Sequence, residues 1–208
     1  MQNAGIAGFI YNSTSWIIRF VYVNILWISF TALGLILFGF FPATAAMFSI
    51  VRKWIMGNHD IPIFKTFLKG FRSEFMQSNI LGLILIVIGY ILYIDYMYIQ
   101  TVGRSLATLL AIILIMVSIV YLIMLLYIFP IVVHYQLKTL NYLKIALMIG
   151  LASPLATVLM IIGLTVIYFL IKFIPGLTPF FLGICVSYTV MWGAFNAIRK
   201  VEMKNGNG

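Results

Sequence analysis

Charge is scarce in this chain of 208 residues: Lys, Arg, Asp and Glu make up 8% of it, against about 25% in an ordinary soluble domain. With 64% hydrophobic residues and a mean hydropathy of +1.15, there are too few polar side chains to cover a globule. That excludes a soluble enzyme domain, and the same hydrophobicity excludes disorder. Acids are scarcest of all, with four Asp+Glu in the whole chain. Little is left for acid–base chemistry. No paired carboxylates, P-loop, HExxH or GxSxG pattern occurs, so the sequence offers no catalytic, metal-binding or cofactor-binding residue. The single cysteine, Cys185, excludes an internal disulfide and a Cys-based metal site, and reads as a small packing residue.

What is present is long apolar runs. Uncharged stretches lie between Arg19 and Arg52, Glu74 and Asp95, Arg104 and Lys138, Lys144 and Lys172, and Lys172 and Arg199. Each is long enough for a spanning helix, which needs about 20 apolar residues. The runs are continuous rather than alternating, which argues against barrel strands. The sequence therefore predicts an all-α polytopic membrane protein, a single membrane domain with spans near 16–41, 77–98, 105–129, 144–171 and 178–198. Ala43-Thr44-Ala45 has the look of a signal-peptidase site, but the apolar run before it is too long and lacks a basic start.

The basic residues give an orientation. Arg52, Lys53, Lys65, Lys69 and Arg72 fall in one loop, Lys138 and Lys144 in another, and Arg199, Lys200 and Lys204 in the tail, leaving Arg19, Arg104 and Lys172 on the other side. The expectation is a cell-membrane protein with its N-terminus outside and its C-terminus cytoplasmic. The net charge of +9 then reflects topology and contact with anionic lipid rather than nucleic-acid binding.

Several residues stand out along the chain. Residues 1–15 read as a short interfacial segment, with a sequon at Asn12 that carries no weight. Asn24 and Thr31 share a face of the first span, as polar residues that join helices do. Pro42 is expected to break that span, and Ala43–Ile55 to lie as an elbow on the interface. Together with the helix that follows, this makes 43–76 a cytoplasmic amphipathic segment. Within it, Phe64, Phe67, Leu68, Phe71 and Phe75 fall on an arc of about 100°. Lys65, Lys69 and Arg72 lie beside them, so this helix is a candidate docking face for lipid, for the protein itself or for a partner. Asp95 stands roughly 31 Å of helix from Glu74, about one hydrocarbon thickness, so both reach an interface. Asp95 is expected to pair with Arg104. His134 and Asn196 are interfacial polar residues, and Ser153-Pro154 is a kink.

The segments 23–54 (with its FPATAA and RKW), 61–82 (IPIFKTFLKGFRSEFMQSNILG) and 127–147 (YIFPIVVHYQLKTLNYLKIAL) resemble the YesL family of small multi-pass bacterial membrane proteins. The resemblance covers nearly the whole chain and transfers no catalytic residue. Its members are often encoded beside carbohydrate ABC importers and sensor histidine kinases, notably for pectin-type saccharides. It implies a non-enzymatic accessory or regulatory role in saccharide uptake or sensing, with importer subunits or such a kinase as partners. The alternative is a small-solute transporter or channel acting as an oligomer, for which Asn24, Thr31, Ser118 and Thr157 would have to line a path.

Overall fold

The computed structural model describes the backbone of residues 2–206 and the side chains of residues 14–203. Asn12 of the sequon and most side chains of the expected interfacial segment 1–15 lie outside the described residues. Within them the chain is helical: α1 (Gln2–Leu33), α2 (Leu37–Ile55), α3 (Ile63–Ser73), α4 (Phe75–Ile99), α5 (Arg104–His134), α6 (Thr139–Ala152), α7 (Pro154–Phe173) and α8 (Thr178–Gly206), with a 3₁₀ turn at Pro175–Leu177. Five stretches are long and apolar enough to cross a membrane: Thr14–Leu33, Phe75–Ile99, Arg104–His134, Pro154–Phe173 and Pro175–Met203. The all-α architecture with five spans holds; the first and fourth spans change their limits.

The run between Arg19 and Arg52 is a helical hairpin rather than one span. Leu35 and Ile36 take φ of 56° and 64°, positive values that cost a side chain about 1–3 kcal/mol, and Leu37 N–H closes the turn on Leu35 O at 2.7 Å. Two glycines let the backbones cross: a Cβ on Gly39 would lie 2.5 Å from Thr31 O, and one on Gly34 would collide with the backbone of Gly39. α2 then returns along α1. Trp27 Nε1 donates to Thr44 Oγ1 at 3.1 Å, and Trp16 and Phe20 meet Trp54 at centroid distances of 5.4 and 5.8 Å. Arg19 pairs with Asp60 at 3.2 Å and donates to His59 O at 2.9 Å. The charge count set Arg19 across the membrane from residues 52–72; it lies beside them.

Pro42 does not end the helix. It sits in the second turn of α2, where its missing N–H leaves Phe38 O free. Asn79 Nδ2 of α4 donates to that carbonyl at 3.1 Å. Residues 43–55, expected as a surface elbow, form the central helix of the fold: Ala43, Ala45, Ala46, Met47, Ile50 and Val51 are completely buried. Alanine-rich surfaces allow close helix approach, and α2 touches α1, α3, α4, α5 and α8. Its first turns meet the start of α4, where Phe41 lies under Gly82. Further along, Phe48 stacks on Phe129 of α5 at 5.7 Å, and Met47 reaches Gly183 and Ser187 of α8.

Pro154 divides the expected span 144–171 into α6 and α7. α6 folds back on α5, with Gly150 against Ile123 and Tyr127. Tyr127 and Thr157 hydroxyls lie 3.0 Å apart, and Thr157 Oγ1 donates back toward Ser153 O at 3.3 Å. The same Oγ1 also donates toward Gly150 O at 3.4 Å, the carbonyl that the missing N–H of Pro154 leaves open. α4 and α5 form a hairpin, with Tyr121 Oη donating to Leu85 O at 2.9 Å. Beyond that bond, no residue from 86 to 123 is buried.

Candidate functional site

The amphipathic helix picked out by the sequence is α3, and it is mounted on the fold by its phenylalanines. Phe67 is fully buried. The rings of Phe67, Phe71 and Phe64 lie 5.2, 5.0 and 6.4 Å from Phe30 of α1, and Phe75 meets Phe71 at 5.6 Å. Gly70 brings α3 onto α2: a Cβ there would lie 3.0 Å from Ser49 Oγ and 3.3 Å from Ala46 Cα. Phe67 is therefore closed to any partner and Phe71 is half-buried, while Phe64 and Phe75 keep exposed edges and Leu68 is half-buried. The basic half of the face is open. Lys65, Lys69 and Arg72 are exposed, and with Leu68 and Ser73 they border a shallow groove of about 500 Å³.

A polar knot closes the same end of the bundle. Arg52 Nε of α2 donates to His134 Nδ1 at 3.2 Å. That nitrogen is then the acceptor, which places the proton of a neutral ring on Nε2. Nε2 faces Glu202 Oε1 of α8 at 3.7 Å. Tyr135 OH donates to the same Oε1 at 2.7 Å. Burial first, then the hydrogen bond and charge of Glu202, push the Tyr135 hydroxyl up to about 12, so it remains a donor. Burial lowers the Arg52 pKa from its ordinary value. Gln77 Nε2 donates to Leu137 O at 3.2 Å, tying the start of α4 to the same end. The charges of Arg52 and Glu202 oppose one another across the imidazole, an arrangement that fastens three helices together.

The remaining polar candidates are scattered. Asn24 clasps the start of α8: its Nδ2 donates to Pro179 O at 2.7 Å, and its Oδ1 accepts from Ile184 N–H at 3.1 Å. Thr31 lies by the hairpin turn with its Oγ1 unpartnered. Asp95 and Arg104 are exposed and do not pair; among the described residues the ion pairs are Arg19–Asp60 and His134–Glu202. Asp95 instead borders a cleft between α4 and α5 of about 290 Å³, with Tyr98 and Leu114. Asn196 is exposed on α8. Among the described residues, no group of three His, Cys, Asp or Glu comes together. Asn24 and Thr157, two residues that a solute path would have used, are taken up by contacts between helices. Sequence reasoning missed Glu202, Tyr135 and Asp60 as partners. For the two acids the signal was rarity, since a chain with four acids leaves few groups to answer Arg19 and His134; nothing sets Tyr135 apart among 12 tyrosines.

Residues 20–96, which hold the second half of α1, all of α2 and α3 and most of α4, match the family described as protein of unknown function, DUF624. The chain is 37% identical over 206 residues to the uncharacterized protein YteU of Bacillus subtilis (strain 168), covering 99% of this chain and 92% of that one. It is 35% identical over 189 residues to YesV of the same organism (91% of each). It is 33% identical over 190 residues to YesL, covering 91% of this chain and 90% of that one. No solved structure matches. The chain belongs to the YesL-like, DUF624 family.

Proposed function

We propose that this chain is a non-enzymatic accessory or regulatory protein of the cell membrane, working beside an uptake or sensing system for pectin-type saccharides. The observation that carries the accessory role is the two-sidedness of α3. Its phenylalanines are fixed against α1 and α2, so Lys65, Lys69 and Arg72 are presented from a firm base. A cationic face held in that way suits an acidic partner surface. The saccharide link rests on the family resemblance, which points to subunits of a carbohydrate ABC importer or to a sensor histidine kinase. The charged end faces the cytoplasm by the positive-inside rule. With Arg19 held beside Asp60 at that end, the opposite end keeps Arg104 and Lys172; α2 then serves as a sixth, returning pass beside the five spans, and the start of α1, expected outside, joins the end of α8 on the cytoplasmic side.

The test is copurification of the full chain from native membranes, with bound proteins identified by mass spectrometry. Replacing Lys65, Lys69 and Arg72 together by Gln should release the partner while the chain stays in the membrane at wild-type abundance. Retention of every partner by that variant would remove α3 from the reading. Absence of any protein partner from the wild-type preparation would end the accessory role itself.

A further inference from the structure

The break between α6 and α7 leaves hydrogen-bond donors uncommitted at a cavity. Ser153 occupies the N-cap of α7, a position where a serine oxygen ordinarily accepts from the second or third helical N–H. Here it forms no such bond. Ser153 is 5% exposed, and its Oγ has no hydrogen-bond partner. Pro154 has no N–H, and the N–H groups of Leu155 and Ala156 precede the first carbonyl that α7 could offer them. These residues border a cavity of about 230 Å³, and α8 supplies the facing wall. Asn196 and Lys200 stand four residues apart there, on one face of α8. Among the described residues, no carboxylate lines the cavity. Glu202 is engaged by Tyr135 and His134, and Arg199 lies over the Phe195 ring at 4.6 Å. Among the described residues, Lys200 is thus the cation that lines this cavity.

We infer that the cavity between the start of α7 and the end of α8 binds an anionic phosphoryl group. A helix N-terminus carries partial positive charge and free N–H groups, which suits an oxyanion. Lys200 adds a full charge, and Asn196 and Ser153 add neutral donors, so a tetrahedral oxyanion can be met from both helices. The cavity lies at the basic end of the bundle, where phospholipid headgroups sit, and basic pockets between spanning helices on that side take anionic headgroups. The ligand is either the phosphate of a lipid headgroup or free phosphate. The inference stands apart from the partner proposed for α3.

The experiment uses the full chain in detergent with two probes: phosphatidylglycerol followed by native mass spectrometry, and inorganic phosphate followed by calorimetry. The variants are Lys200→Gln and Ser153→Ala, with Lys144→Gln as a charge control on α6. Lys200 is exposed, so its variant folds; size-exclusion behaviour and circular dichroism check this. Loss of a charge-assisted hydrogen bond should weaken binding about tenfold in Lys200→Gln, with a smaller loss in Ser153→Ala and none in Lys144→Gln. A loss confined to the lipid probe assigns a headgroup site; a loss with both probes assigns a site open to free phosphate. Equal binding by Lys200→Gln and wild type, or no binding of either probe to the wild type, overturns the inference.

Discussion

The helix α2 and the outer half of the α4–α5 hairpin are both apolar, yet they live in different surroundings. α2 is packed by five other helices, and its alanines are fully buried. From residue 86 to 123 nothing is buried, and side chains such as Ile112, Ile115 and Met116 are more than half exposed. What separates the regions is side-chain size. The hub uses Gly34, Gly39, Ala43, Ala45, Ala46 and Gly70, which let backbones approach, whereas the hairpin presents Ile, Leu and Val. In lipid, apolarity itself does not drive helices together, so close packing and hydrogen bonds decide which surfaces meet.

The largest expected effect breaks this comparison by size. Ala46→Leu places a branched side chain where α3 rests on α2 through Gly70. Overpacking of this kind costs about 1–3 kcal/mol, and at this crossing the upper end applies, with folded yield falling sharply. Ile115→Ala on the hairpin removes as many carbons as Ala46→Leu adds but fills and empties nothing inside the protein, so thermal unfolding in detergent should barely change. Equal losses for the two variants would mean that the hairpin is as tightly packed as the hub.

Spans were legible in the sequence because the gap between charges measures length, and length is what a bilayer demands. The turn at residues 34–36 was not, because no charge marks it; Leu35 and Ile36 give no turn signal, and the information lies in Gly34 and Gly39, whose need appears once two backbones meet. Pro42 was read as a stop by the loss of its hydrogen bond. Asn79, distant in sequence, supplies the replacement donor. The α3 pattern gave the helix and its two faces correctly but not which face was occupied, since a Phe stripe looks the same against lipid, partner or α1.

The next effect concerns Asn24, which hydrogen-bonds α1 to the start of α8. Asn24→Ala removes both bonds that this side chain makes to α8, to Pro179 O and from Ile184 N–H. Measured bonds between membrane helices average about 0.6 kcal/mol, so a loss near 1 kcal/mol is expected for the two. Ser118→Ala, on the unburied hairpin, should be silent in the same unfolding assay. If Asn24→Ala is also silent, the clasp is ornamental and α1 is held by its aromatic contacts.

A smaller effect tests the link between Pro42 and Asn79. Asn79→Ala removes the donor to Phe38 O and should cost about 1 kcal/mol. Pro42→Ala restores a backbone N–H for that same carbonyl. In the Pro42→Ala background the Asn79 substitution should cost much less, giving a coupling energy of about 0.5–1 kcal/mol in a double-mutant cycle. Strict additivity would show that the two residues do not share the carbonyl.

The smallest energetic effect carries the largest statement about topology. Arg19 and Asp60 form a pair in which the carboxylate is almost fully exposed, and such pairs contribute about 0–1 kcal/mol. Arg19→Gln should therefore leave stability nearly unchanged, and any loss should shrink as salt is raised. The position of the pair matters more than its strength. If α1 and α2 are a hairpin, their outer ends lie at one membrane face, and Arg19→Cys and Asn58→Cys should both resist an impermeant thiol reagent applied to intact cells. Gln100→Cys, at the turn between α4 and α5, should react. Permeabilised cells should label all three, which checks that protection comes from sidedness rather than burial. A single unbroken first span would instead make Arg19→Cys react along with Gln100→Cys while Asn58→Cys stayed protected. That pattern would dismantle the hub, because α2 could not then return along α1 to meet α3, α5 and α8.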